Sequence, residues 1–149
     1  MRISLGVLII GLSFIFASWG DAQTPIPLLS KESSSGAVYQ RYLKDHDKKH
    51  NEINYLLNLI ENSSLSFERN GQKANGKVAA YILRFKFNQE KKNIYTTEDF
   101  IARVASFSSH TNKSYYVILL SGKKLLLKDQ LYAELDKLRN QWNKKFKNL

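Results

Sequence analysis

The sequence contains no cysteine, which removes disulfides, thiolate metal sites and a cysteine nucleophile from consideration. It has only two prolines, Pro25 and Pro27, both near the N-terminus. Beyond them no proline interrupts a helix or a strand. Acidic residues are scarce: 13 Asp and Glu stand against 23 Lys and Arg, a formal net charge of +10. No apolar run reaches the roughly 20 residues that a membrane-spanning helix needs. What is present is 149 residues with 43% hydrophobic content, enough for one packed domain and too little for two large ones.

The N-terminus reads as a secretory signal over residues 1–22. Arg2 supplies a positive start, Ile3 to Ala17 an uncharged and mostly apolar stretch, and Gly20 and Ala22 the small residues ahead of a cleavage site. The mature chain is therefore expected to start at Gln23, with Asp21 as the alternative start. Residues 23–37, with both prolines, Ser33, Ser34, Ser35 and Gly36, read as a flexible leader, and residues 38–149 as a single domain.

The positive charge has two readings. It can attract an anionic envelope component, or it can serve as a solvated surface. Lysine outnumbers arginine 17 to 6. Base-reading proteins favour the bidentate arginine fork, so sequence-specific nucleic-acid binding is not expected.

Apolar residues at spacings of three and four, from Tyr39 and Tyr42 through His46, His50, Ile53 and Leu57 to Ile60, predict a first amphipathic helix. Leu65 to Arg69 alternates as a short strand, with Leu65 and Phe67 inward, and Asn70-Gly71 turns the chain. Asn75 is placed to cap a second helix from Gly76 to about Lys92, with Val78, Ala79, Ile82, Leu83, Phe85 and Phe87 toward the core. Thr96 with Glu98 and Asp99 opens a third helix, whose face is Phe100, Ile101, Val104 and Phe107. Tyr115–Leu120 and Lys123–Leu127 form a hairpin around Ser121-Gly122. A last helix runs from about Asp129 to Phe146 on Leu131, Leu135, Leu138 and Trp142. The order is αβααββα, an α+β class with a short antiparallel sheet packed against helices.

Two segments imitate chemical motifs. Gly71 to Lys77 has the G-x-x-x-x-G-K spacing of a phosphate-binding loop, yet Val78 stands where a magnesium-binding hydroxyl is required. His46-Asp47-Lys48-Lys49-His50 puts two histidines at i and i+4, as a zinc-protease helix does. Its carboxylate is one methylene short and no third ligand is evident. No metal and no cofactor is expected. Asn62-Ser63-Ser64 and Asn112-Lys113-Ser114 match glycosylation acceptors.

For ligand binding, polarity and position single out Arg69, Asn70, Lys86 and Tyr115. Arg69 ends a strand. Asn70-Gly71 offers turn N–H groups to an anion, Lys86 lies between Phe85 and Phe87 as a buried stem with a free ammonium, and Tyr115 starts the hairpin. Together they would take a small anionic group. The functional expectation is an exported, basic protein, periplasmic or secreted, that binds and does not catalyse. A protein directed at a host or competitor, or a small hydrolase without a recognisable motif, remains an alternative.

The stretch Glu52 to Leu138 resembles the YfeK-like family of small exported bacterial proteins of unknown function. The resemblance rests on Glu52-Ile53 with Leu56-Leu57, Phe67-Glu68-Arg69-Asn70-Gly71, Lys86, Thr97-Glu98-Asp99-Phe100-Ile101, Ser106 to Ser109, Lys113-Ser114-Tyr115 and Glu134-Leu135. It implies a bacterial envelope location and brings no catalytic residues. It also implies that Leu65 and about Leu119 stand where many relatives carry cysteines, and so that these two leucines are neighbours across the sheet.

Overall fold

The structure is a computed structural model that describes residues 36–44 and 48–146. The stretch read as a signal, nearly all of the stretch read as a leader, and His46 with Asp47 lie outside the described residues.

The stretch predicted as one first helix is helical on both sides of residues 45–47, which lie outside the described residues: α1 (Ala37–Lys44) and α2 (Lys48–Glu61). The strongly apolar half of that stretch is α2, and Ile53, Leu56, Leu57 and Ile60 are fully buried. Strand β1 (Ser66–Arg69) then pairs antiparallel with β2 (Gln72–Asn75), with Arg69 opposite Gln72. Asn70 and Gly71 between them have φ of 53° and 81°, the positive values that a two-residue hairpin turn needs to match the strand twist. Strand β2 was not expected from the sequence. It is an edge strand with mostly exposed residues, and such a strand needs no apolar alternation to hold its place.

Helix α3 (Gly76–Glu90) follows without a break. Asn75 caps it as predicted, its Oδ1 accepting from the Val78 N–H at 3.0 Å. The buried face is Ala80, Leu83 and Phe87. Val78 and Phe85, expected in the core, are 47% and 58% exposed. They share the outward side of the helix with Tyr81, at i+3 and i+7 from Val78.

A single 3₁₀ turn (Lys91–Asn93) leads to α4 (Thr97–Asp99), which continues as a π-helical turn over Phe100–Val104. Thr96 and Asp99 cap each other reciprocally: Thr96 Oγ1 accepts from Asp99 N, and Asp99 Oδ2 accepts from Thr96 N, both at 3.0 Å. Phe100, Ile101 and Val104 are buried, and Phe100 meets Phe87 edge-on with ring centroids 5.5 Å apart. The predicted hairpin is β3 (Tyr116–Ile118) and β4 (Lys124–Leu126). Helix α5 (Leu127–Phe146) carries the expected stripe, with Leu131, Leu135 and Leu138 buried.

The sheet order is β2-β1-β3-β4, antiparallel throughout, and the α+β class holds. Phe67 stands opposite Ala74 and Val117, and Val117 opposite Leu125, which sets the buried face. On the other face Lys124 Nζ meets Glu68 at 2.8 Å. Ser66 pairs with Ile118, so one further step of the register sets Leu65 across from Leu119. Both are partly buried against the core. Partial burial lowers the expected cost of Leu65→Ala to about 1–2 kcal/mol, below that of a fully buried leucine. A thermal unfolding curve that does not move would place Leu65 outside this contact.

Candidate functional site

By strand alternation Arg69 falls on the same face of β1 as Phe67, the face covered by helices. From the sequence, Arg69 at the end of the strand is expected on the face opposite or beyond the inward Phe67, and the structure corrects this. The β1–β3 register carried on from Glu68 opposite Tyr116 sets Arg69 across from Tyr115. Tyr115 is buried, its backbone held between Ser106 and Leu127. Lys86 reaches down from α3, its ammonium 5.6 Å from the centre of the Tyr115 ring and 5.2 Å from that of Phe107. The fold thus brings together three of the four residues singled out from the sequence.

The ammonium of Lys86 is not free, contrary to expectation. It donates to the carbonyls of Val104 at 3.0 Å and Phe107 at 2.7 Å. These carbonyls lie at and just past the end of the π-helical turn, where acceptors lack intrahelical partners. Burial, and next the positive charge of Arg69, hold the Lys86 pKa below the usual lysine value. Asn70 is also occupied. Its Nδ2 donates to Ser108 Oγ at 3.3 Å and its Oδ1 accepts from Thr111 Oγ1 at 2.5 Å, so it clamps the hairpin turn to the loop after the π turn.

Arg69 is left as the cation with capacity. No carboxylate pairs with it among the described residues, and its buried Nε has no hydrogen-bond partner there. The Tyr115 hydroxyl is likewise buried without a well-formed hydrogen bond. Burial pushes the Tyr115 pKa up, while the neighbouring Arg69 guanidinium pulls it part of the way back. Beside these groups is a cavity of about 40 Å³ between the sheet and α3, lined by Phe67, Arg69, Leu83, Tyr115 and Leu127 among others, and also by Glu68, whose carboxylate pairs with Lys124. That is room for a few water molecules. Arg69 and Tyr115 line this cavity and interact with each other, Lys86 lies outside its lining, and the surface that faces the cavity is apolar.

The phosphate-loop imitation has a structural account. Gly71 serves the hairpin turn. Residues 72–75 are strand β2, not a loop that wraps phosphate. Gly76 is buried where α3 starts against the end of α2, and a Cβ there would sit 2.1 Å from the Ile60 carbonyl oxygen. Lys77 is exposed. The His50 ring packs edge-on against Phe87 at 6.4 Å.

The sequence reading missed a second polar centre. Glu52, 1% exposed on α2, accepts from Arg139 of α5 through both oxygens, Nε to Oε1 and Nη2 to Oε2, each at 2.8 Å. Thr97 Oγ1 donates to Oε2 at 2.6 Å, and Arg139 Nη1 continues to Glu98 Oε1 at 2.5 Å. This bidentate, fully engaged network ties α2, α4 and α5 together. The hydrogen bond from Arg139 holds the Glu98 carboxyl below its usual range.

Near this network Tyr42 is buried, and its hydroxyl has no hydrogen-bond partner among the described residues. Burial, and then the Glu52 charge, push its pKa up to about 12. In the unfolded chain a tyrosine releases its proton near pH 10. Unfolding between those values therefore releases a proton. Stability from this group is complete below about pH 10 and is lost as pH rises toward 12. Tyr42→Phe is expected to leave stability at pH 7 nearly unchanged and to flatten the alkaline fall, read by denaturant unfolding from pH 9 to 12. An equally steep fall in the variant would contradict this.

The fold and the two polar centres define a small α+β domain in which helices cover one face of a four-stranded antiparallel sheet. The chain belongs to a family of unknown function, DUF5329, whose pattern matches residues 47–139. It is 44% identical over 64 residues to the uncharacterised protein YfeK of Salmonella typhimurium, across 42% of this chain and 53% of that relative. The chain thus matches about half the length of this curated relative. No solved structure matches. Among the described residues no helix is long and apolar enough to cross a membrane.

Proposed function

We propose that the protein is exported and acts by binding, with Arg69 as the group that meets an anionic part of an envelope component. Export is supported by Arg2, the apolar stretch Ile3 to Ala17, and Gly20 with Ala22. Binding is supported above all by one observation: a guanidinium on the covered face of the sheet, without a carboxylate partner and with its buried Nε unbonded among the described residues, beside the Lys86 ammonium and the Tyr115 hydroxyl. Such an arrangement is costly unless an anion completes it. The small size of the cavity suits a single carboxylate or phosphate group, with the remainder of the ligand outside.

The test is a thermal-shift titration of the purified protein with sodium acetate and with inorganic phosphate, against sodium chloride at equal ionic strength. A ligand that binds only the folded state raises the melting temperature in a saturable way. Acetate or phosphate is expected to do so, and Arg69→Met to abolish the rise. An equal rise with chloride, or a rise that survives in the variant, would refute the site. N-terminal sequencing of the protein from an envelope fraction is expected to read from Gln23 or Asp21. A chain starting at Met1 would refute export with cleavage.

A further inference from the structure

A second pocket lies between α1, α2 and α3, apart from the Arg69 cavity and sharing no lining residue with it. It is a cleft of about 310 Å³ lined by Ala37, Arg41, Asn51, Asn54, Asn58 and Arg84. The three asparagines fall at i, i+3 and i+7 of α2, so their carboxamides share one helix face. Asparagine is a poor helix former, and three on one face weigh against the helix that carries them. Asn51 is only 4% exposed, and its buried Nδ2 has no hydrogen-bond partner among the described residues. A buried donor left open in this way calls for an acceptor from outside the fold. Arg84 uses one Nη2 contact on Glu61, at 2.5 Å, out of the five N–H groups a guanidinium carries. Arg41 stands exposed at the α1 wall, and among the described residues no carboxylate lines the cleft.

Carboxamides donate and accept at once, which matches the donor–acceptor character of neighbouring hydroxyls. Guanidinium groups pair with a carboxylate. We infer that the cleft binds an acidic saccharide, a hydroxyl-rich ring bearing a carboxylate, with Asn51, Asn54 and Asn58 on the hydroxyls and Arg41 and Arg84 toward the acid group. The volume lies at the lower end of the roughly 300–1,000 Å³ of small-molecule sites, which suits one ring with parts of its neighbours. The net charge of +10 steers such an anion toward the protein.

The probe is digalacturonate, compared with the neutral disaccharide isomaltose and with inorganic phosphate, each titrated into the purified protein and followed by amide and side-chain NMR shifts. Digalacturonate is expected to bind saturably, with shifts centred on Asn51, Asn54 and Asn58, and isomaltose at least tenfold more weakly. Arg41→Ala and Asn54→Ala, both at exposed positions, are expected to weaken digalacturonate at least tenfold while melting stays unchanged. Three results would each overturn the assignment. These are no saturable binding, equal binding of isomaltose, and phosphate alone producing the same shifts. Shifts confined to Arg69 and Tyr115 would likewise overturn it, by placing the ligand in the other pocket.

Discussion

Glu52→Gln is expected to cost about 2–4 kcal/mol of folding stability, because it takes away the buried carboxylate that the Arg139 fork engages, while Arg139, 30% exposed, keeps Glu98. Glu52 is 1% exposed and holds two bonds from Arg139 and one from Thr97. Arg139→Met is expected to do comparable damage from the other side, since Glu52 would then be a buried charge with Thr97 as its remaining side-chain partner. The two substitutions combined are expected to cost clearly less than their sum, by about 1.5–3 kcal/mol, as for residues that act as one unit. Urea unfolding of the two single variants and the double variant measures this. Additive costs would mean that the pair does not act together.

Gly76→Ala is expected to cost about 2–4 kcal/mol, by overpacking and not by any loss of phosphate affinity. The added Cβ would meet the backbone oxygen of Ile60 at 2.1 Å, and those of Glu61 and Ser63 at 3.1 Å. These are backbone atoms at the end of α2, so a helix must move to make room. Gly71→Ala is the contrast. Nothing lies within 4 Å of a Cβ there, but φ is +81°, so only the strained backbone resists, at about 1–2 kcal/mol. Melting temperatures of the two variants are expected to fall in the order Gly76→Ala well below Gly71→Ala. The reverse order would contradict the close approach of α2 and α3.

How much could be read from the sequence depended on how local the determining physics was. The caps at Asn75 and at Thr96 with Asp99 each involve residues three apart, and they stand where their residue types put them. The Leu131, Leu135 and Leu138 stripe of α5 follows from a single helical period. Strand β2 was hidden because its order comes from pairing with β1, not from its own Gln-Lys-Ala-Asn sequence. The face of α3 was ambiguous because apolar residues lie on both sides of it, and only packing shows that Val78 and Phe85 face outward.

Glu52 and Arg139 are 87 residues apart, and no short-range pattern links them. One signal was available. Glu52 falls in phase with Leu56 and Leu59 on the apolar face of α2, and a charge in that phase requires a partner. The meeting of Arg69, Lys86 and Tyr115 was legible from their polarity and position: Arg69 at a strand end, Tyr115 at the start of the hairpin, and Lys86 between Phe85 and Phe87 within α3. How Lys86 and Asn70 are engaged was not, because the carbonyls and hydroxyls that hold them belong to the turn and loop after Phe100.

The most direct measurement is the unfolding free energy of Arg69→Met in buffer free of carboxylate and phosphate. If Arg69 is held ready for an anion, its charge beside Lys86 is uncompensated in the empty protein. The variant should then be as stable as the natural sequence or more so, while losing all stabilisation by acetate and phosphate. A variant less stable by more than about 1 kcal/mol, the worth of an ordinary hydrogen bond, would show that Arg69 holds the fold together and would contradict its assignment as a binding residue.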